Sequence, residues 1–161
     1  MTPTLRAATL DDLDPLANFA EAMARETENK VLDVPTVRSG IRAVLNDPDK
    51  GFYLVAEHDG RVVGALMITT EWSDWRNGLF WWIQSVYVRP AARRQGVYST
   101  LHQHVRQMAR VEEDVCGLRL YVDAENRTAQ HTYEHLEMEP TRYRMYEVVF
   151  GENDAAGEGG P

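Results

Sequence analysis

The stretch Ile83–Leu101, IQSVYVRPAARRQGVYSTL, decides the reading of this chain, because it joins a β-prone run to a helical one through a short basic loop. Val86, Tyr87 and Val88 belong to an apolar, aromatic and β-branched segment that ends at Arg89-Pro90, and Val97, Leu101, Val105 and Met108 recur at helical spacing just beyond it. Between them lies Arg93-Arg94-Gln95-Gly96. The first turn of a helix presents unpaired N–H groups and a partial positive charge, and glycine lets a chain approach an anion with no side chain between them. Two arginines add formal charge to such a place. A glycine between strand and helix serves equally well as a packing or turn device, so the spacing alone leaves both readings open.

Outward from this segment the pattern is that of a mixed α/β domain. Thr9-x-x-Asp12 has the form of a capping box, and Leu13, Leu16, Ala17, Ala20 and Met23 follow at helical spacing, which predicts a helix over about 10–27. Pro35 opens a second helix carrying Val37, Ile41, Val44 and Leu45, and Asp47-Pro48 ends it. Phe52–Glu57 and Val62–Thr70 flank His58-Asp59-Gly60-Arg61, a hairpin signal, and Leu79–Val88 continues the meander after Asn77-Gly78. A helix over about 96–112 follows, then a strand carrying Leu118, Leu120 and Val122, a helix starting near Asn126, and a closing strand over Tyr143–Phe150. The expected fold is one mixed, mostly antiparallel twisted sheet with helices on both faces. It spans 1–150, and Gly151–Pro161, rich in glycine and carboxylates, reads as a disordered tail.

The chain has 161 residues, enough for a domain that buries roughly 70% of its unfolded surface. A net charge of −8 argues against general binding to nucleic-acid phosphates and favours cationic partners. No apolar stretch approaches the roughly 18 residues of a membrane span, and no secretory leader is evident, so a cytoplasmic location without membrane attachment is expected. The single cysteine, Cys116, lies among apolar strand positions and is expected to be a buried thiol. His131 and His135 are spaced to share a helix face, but neither a His-Glu-x-x-His pattern nor a third ligand accompanies them, and no metal site is expected.

Two segments carry a resemblance. Val86-Tyr87-Val88-Arg89-Pro90 followed by Arg93-x-x-Gly96-x-Tyr98 resembles the acyl-donor motif of the GNAT N-acetyltransferase superfamily, with Tyr98 where a small residue is usual. Asn126-x-x-Ala129-x-x-x-Tyr133-x-x-Leu136-x-Met138 resembles that superfamily's downstream motif, with Glu137 where glycine is usual. The order of elements is similar from Leu5 to about Val149. The resemblance implies the GNAT acyl-CoA N-acyltransferase fold, and an acetyltransferase that uses acetyl-CoA as cosubstrate and an amine of a small molecule or protein as acceptor, by direct attack in a ternary complex. It implies that the backbone of Val86, Tyr87 and Val88 runs along the pantetheine arm, that Arg93, Arg94, Gln95, Gly96, Val97, Tyr98 and Ser99 hold the diphosphate, and that Asn126 contacts the pantetheine region. A homodimer is common among similar proteins. A coenzyme-A-binding regulatory or interaction module without catalysis is the alternative.

Acetyl transfer needs a neutral amine, a donor for the thioester oxygen and a proton for the departing thiolate. By the resemblance, Tyr133 is the proton donor and a backbone N–H near Val86 polarises the acetyl carbonyl. Glu71, at the end of the second hairpin strand, is the candidate base. Glu26 and Glu28, near the end of the first helix, are candidates for binding a cationic amine. Trp72 and Trp75, in a group with Trp81 and Trp82, offer indole faces to such a cation.

Overall fold

The computed structural model describes residues 1–151, so all of the expected acidic tail except Gly151 lies outside the described residues. The chain divides into two compact units, one over Met1–Asn126 and one beginning at Arg127.

The first unit is built on a five-stranded sheet in the order β1-β2-β3-β4-β5. Its elements are β1 (Thr4–Ala7), α1 (Leu13–Glu28), α2 (Val34–Asn46), β2 (Phe52–His58), β3 (Arg61–Ser73), β4 (Gly78–Val88), α3 (Val97–Val111) and β5 (Val115–Arg119). All neighbouring pairs are antiparallel except β4 and β5, which are parallel and joined through α3. This is the mixed, mostly antiparallel sheet expected. β1 was not anticipated; four residues with partial burial give too short a period to read.

Local chemistry explains the boundaries. The Asp12 carboxylate accepts the Thr9 N–H at 2.8 Å, as a capping box requires, and the Arg6 guanidinium grips both Asp12 oxygens at 2.8 and 2.9 Å while its Nε donates to Glu57 at 3.0 Å. Asp33 caps α2 by accepting the Thr36 N–H at 3.1 Å. Asp59 and Gly60 both have positive φ, 50° and 70°, the pairing a tight hairpin turn needs to match strand twist.

Alternation along the strands divides the core into two layers. Leu54, Leu66, Ile68, Trp81 and Ile83 pack against Val97, Leu101, Val105 and Ala109 of α3. Tyr53, Val55, Ala65 and Tyr87 pack against Leu13, Leu16, Ala17 and Phe19 of α1 and Ile41 of α2. Helices therefore cover both faces of the sheet.

The second unit contains α4 (Arg127–His135). Glu137, just past its end, has φ +63°, and the Met138 N–H donates to the Tyr133 carbonyl at 3.0 Å. The backbone thus keeps the left-handed turn that a glycine adopts without strain.

Three expectations need correction. No strand forms over Tyr143–Phe150; Tyr143, Met145, Tyr146, Val148 and Phe150 are exposed, and β-prone side chains make a strand only where an edge accepts them. β5 ends at Arg119, so Leu120 and Val122 keep the alternation without a ladder. Cys116 is exposed, not buried, because β5 is an edge strand; its thiol donates to the Leu79 carbonyl at 3.3 Å.

Candidate functional site

The parallel ladder between β4 and β5 runs only from Leu79↔Val115 to Trp82↔Arg119. Among the described residues, β4 continues from Ile83 to Val88 with no partner strand on that side, so the sheet forks. Backbone N–H and C=O groups along that edge are presented for pairing, much as at an exposed sheet edge.

A bulge lies within the forked part. Ala65 pairs with Tyr87 and Met67 with Gln84, so β4 spends one residue more than β3 over this interval, and Ser85 takes φ +50°. The consequence is a change of phase. Ile83 and Tyr87, four apart, would share a face in an unbroken strand, yet Ile83 lies in the α3 layer and Tyr87 in the α1 layer. Such an insertion leaves ladder groups unpaired and re-aims the backbone, and it places this strained, non-glycine residue next to Val86.

The loop after β4 delivers the chain to the N-terminus of α3. A short 3₁₀ turn, Pro90–Ala92, is followed by Arg94 and Gly96, both with positive φ, 61° and 79°. Ala92 and Val97, 3% and 2% exposed, anchor the loop from both ends. The Gln95 side chain donates to the Ala91 carbonyl at 2.8 Å, and the Thr100 N–H to the Gly96 carbonyl at 2.9 Å. A Cβ at Gly64 would stand 3.0 Å from Val97 Cγ1, so the missing side chain on β3 is what lets α3 begin this close to the sheet. A Cβ at Gly96 would meet no heavy atom within 4 Å, so space is open in front of that glycine. The first-turn N–H groups of α3, the positive helix end and exposed Arg94 make a donor set of the kind that holds a diphosphate.

Glu26 lies in the last turn of α1 and accepts from the Tyr87 hydroxyl at 2.8 Å and from Arg93 Nη2 at 2.7 Å. The Arg93 guanidinium, then the Tyr87 hydroxyl, hold its carboxyl below the usual range. Burial, and then Glu26, push the Tyr87 phenol up. Glu28 ends α1 and is exposed. Glu71, opposite Phe80 on β4, is ion-paired at 2.5 Å with Arg119, whose guanidinium also lies 3.6 Å from the centre of the Phe80 ring. Trp72 and Trp75 are 58% and 87% exposed near the β3–β4 turn, whereas Trp81 is core, packed edge-on to Phe52. Trp82 stands with Tyr121, ring centres 6.3 Å apart, and Gln84 donates to Thr69 at 2.8 Å. Asn126 closes a turn, its N–H donating to the Asp123 carbonyl at 3.0 Å. Tyr133 lies in the second unit, on α4, where burial pushes its phenol up and keeps it protonated at neutral pH.

Sequence reasoning missed Ser85 and Arg119. Nothing in the side chain of a serine signals positive φ within a strand. Arg119 carried a signal, a cation alternating with Leu118 and Leu120, but its partner Glu71 is distant in sequence.

An open mixed sheet, forked where a glycine-capped helix begins, defines an acyl-CoA-type acyltransferase fold. The sequence profile described as Acetyltransferase (GNAT) family matches residues 15–138, and the chain belongs to that family, whose members use acetyl-CoA. The fold is similar to that of a possible acetyltransferase from Clostridium difficile 630, with 44% identity, TM-score 0.86, and coverage of 92% of this chain and 98% of that one. A probable acetyltransferase is 26% identical over 92% of this chain and 98% of its own, with TM-score 0.79. At 16% identity and TM-score 0.71, an aminoglycoside acetyltransferase from an uncultured soil metagenomic sample, solved with sisomicin, shares the fold over 92% of this chain and 97% of its own. No curated protein matches the sequence. Among the described residues no helix is long and apolar enough to cross a membrane.

Proposed function

We propose that the chain transfers an acetyl group from acetyl-CoA to a primary amine, on a small molecule or a protein, by direct attack in a ternary complex. The observation that carries this reading is the α3 N-terminus, capped by Gly96 at φ +79° with open space before it, following directly from the unpartnered length of β4. Amides of the turn from Arg94 through Gln95, Gly96, Val97 and Tyr98 to Ser99 would hold the diphosphate, since a helix N-terminus favours anions, while the Arg93 N–H donates within the turn to the Pro90 carbonyl at 3.3 Å. The Val86–Val88 backbone would pair with the pantetheine amides as a further strand does, and Asn126 would contact the same arm. The cosubstrate supplies an acyl group already activated as a thioester.

The chain's own residues supply the rest. An amide at the bulge beside Val86 would donate to the developing charge on the carbonyl oxygen. Tyr133, kept protonated by burial, is the donor for the departing sulfur. Glu71 is the proposed acceptor of the amine's proton; with one of its oxygens engaged by Arg119, its part would be removal relayed through water. Trp72, Trp75 and Glu28 offer indole faces and a carboxylate to a cationic acceptor. The exposed indoles also suit contact with a second copy, which sizing by light scattering tests.

Titration calorimetry with acetyl-CoA, followed by thiol release against a panel of small amines and peptide N-termini, tests the assignment. Micromolar binding and amine-dependent thiol release are expected. Failure to bind acetyl-CoA refutes it, and tight binding with no turnover on any amine transfers the reading to a coenzyme-A-binding module.

A further inference from the structure

Arg93 is the cationic residue that opens the loop before α3, and its guanidinium is already engaged by other groups of the protein. Nε donates to the Val88 carbonyl at the end of β4 at 2.9 Å, and Nη2 donates to Glu26 Oε2 at 2.7 Å. The guanidinium also stands 5.3 Å from the centre of the Tyr87 ring. The Tyr87 hydroxyl donates to the second oxygen of the same carboxylate at 2.8 Å. One carboxylate on α1 thus collects a strand residue and a loop residue, and the loop residue returns a bond to the strand.

We propose that Arg93 is a positioning residue and not a ligand of the diphosphate, with Glu26 as its anchor, so that the α1 end, the β4 end and the glycine turn are set by one brace. The proposal rests on the acetyl-CoA reading of that turn. Three contacts of different kinds fix the guanidinium, a directional bond to a main-chain oxygen, an ion pair and a face-on aromatic contact; a residue free to meet an incoming phosphate would not need them. The ion pair is about two-fifths exposed on each side, 43% and 41%, so it adds little to global stability, and its effect is on where the loop rests. Arg94, exposed and on the left-handed residue of the turn, carries the cationic role toward phosphate.

The test is a double-mutant cycle on the full chain, read as the dissociation constant for coenzyme A across a range of salt. Glu26→Gln and Arg93→Gln are each expected to weaken binding about three- to tenfold, with the double variant no weaker than Arg93→Gln alone. The salt slope of Arg93→Gln should equal that of the wild type, while Arg94→Gln should flatten it, since only lost phosphate contacts reduce that slope. Arg93→Lys, which keeps the charge but not the planar fork, should resemble Arg93→Gln. Melting temperatures within about 2 °C of wild type are expected throughout, as for exposed pairs. Tighter binding in Glu26→Gln, a flattened slope in Arg93→Gln, or near-normal binding by Arg93→Lys would make Arg93 a direct phosphate ligand and overturn the proposal. If the wild type itself binds no coenzyme A, it is the functional reading that fails, and the brace must then show itself as non-additive protection of the 88–96 amides in hydrogen exchange; additive protection overturns it too.

Discussion

Replacing Gly96 by alanine isolates the role of the turn before α3. The added methyl meets nothing within 4 Å, so no collision contributes, but φ at +79° is a conformation that L side chains disfavour by roughly 1–2 kcal/mol. For a chain of this size that corresponds to a fall in melting temperature of roughly 3–6 °C. If the turn relaxes toward negative φ, the first amides of α3 swing from their present direction. Losing one hydrogen bond to a charged acceptor costs about 1.5–3 kcal/mol, or roughly 10- to 150-fold in coenzyme A affinity. Gly60 provides the matched control, with φ +70° and likewise nothing within 4 Å. Gly60→Ala should lose comparable stability and bind coenzyme A as the wild type does. Calorimetry and thermal melts on both variants decide the matter: if Gly96→Ala loses stability yet binds coenzyme A normally, the turn is only a packing device and the anion-binding reasoning is refuted.

Other perturbations have equally definite outcomes. Tyr133→Phe should lower kcat by about 100-fold or more while leaving the KM for acetyl-CoA near its original value, as loss of a general acid does; an unchanged kcat would make Tyr133 a packing residue. His102 is 1% exposed with neither ring nitrogen hydrogen-bonded, and burial, then the nearby Arg106, lower its pKa in the folded state. The unfolded imidazole takes its proton at about pH 6.5 and the folded one only at lower pH, so this contribution is intact above about 6.5 and declines as pH falls below it, by at most about 1.4 kcal/mol per pH unit. Urea melts at several pH values should show the decline in the wild type and lose that part of it in His102→Phe. Asp12, whose carboxyl Arg6 holds below its usual range, contributes stability that is lost only at lower pH, as its own folded pKa is crossed. Glu137→Gly removes strain at φ +63° and adds chain entropy to the unfolded state, for a net gain of about 0.5–1 kcal/mol seen as a slightly higher urea midpoint.

Much of this fold was legible because its signals are local. Asp59-Gly60 carries its own turn chemistry, Thr9 and Asp12 are three residues apart, and α3 repeats its apolar residues every turn. The expected helices and the hairpin strands fall close to where periodicity put them. What escaped depends on partners. Leu120 and Val122 alternate as strand residues do, but the ladder with β4 ends at Trp82↔Arg119, and alternation carries no record of where a neighbour turns away. Tyr143–Phe150 failed for the same reason. The candidate site was half visible: Gly96 and its arginines announce a loop, whereas the partner that engages Arg93 is Glu26, 67 residues earlier. The departure at Glu137 was readable as a residue change, but that the backbone would keep a glycine's geometry was not.

The extra residue at Ser85 acts as a phase lock. Straightening the strand at full length would restore simple alternation from Ile83 onward, sending Tyr87 to the side of the sheet it now avoids and uncoupling its hydroxyl from the helix it reaches, whereas removing one residue would close the ladder with Tyr87 still opposite Ala65. What this part of the strand must keep is therefore the irregularity itself: a residue that accepts positive φ can stand in place of the serine, and losing the bulge would cost the re-aimed backbone beside Val86 even where Tyr87 kept its face.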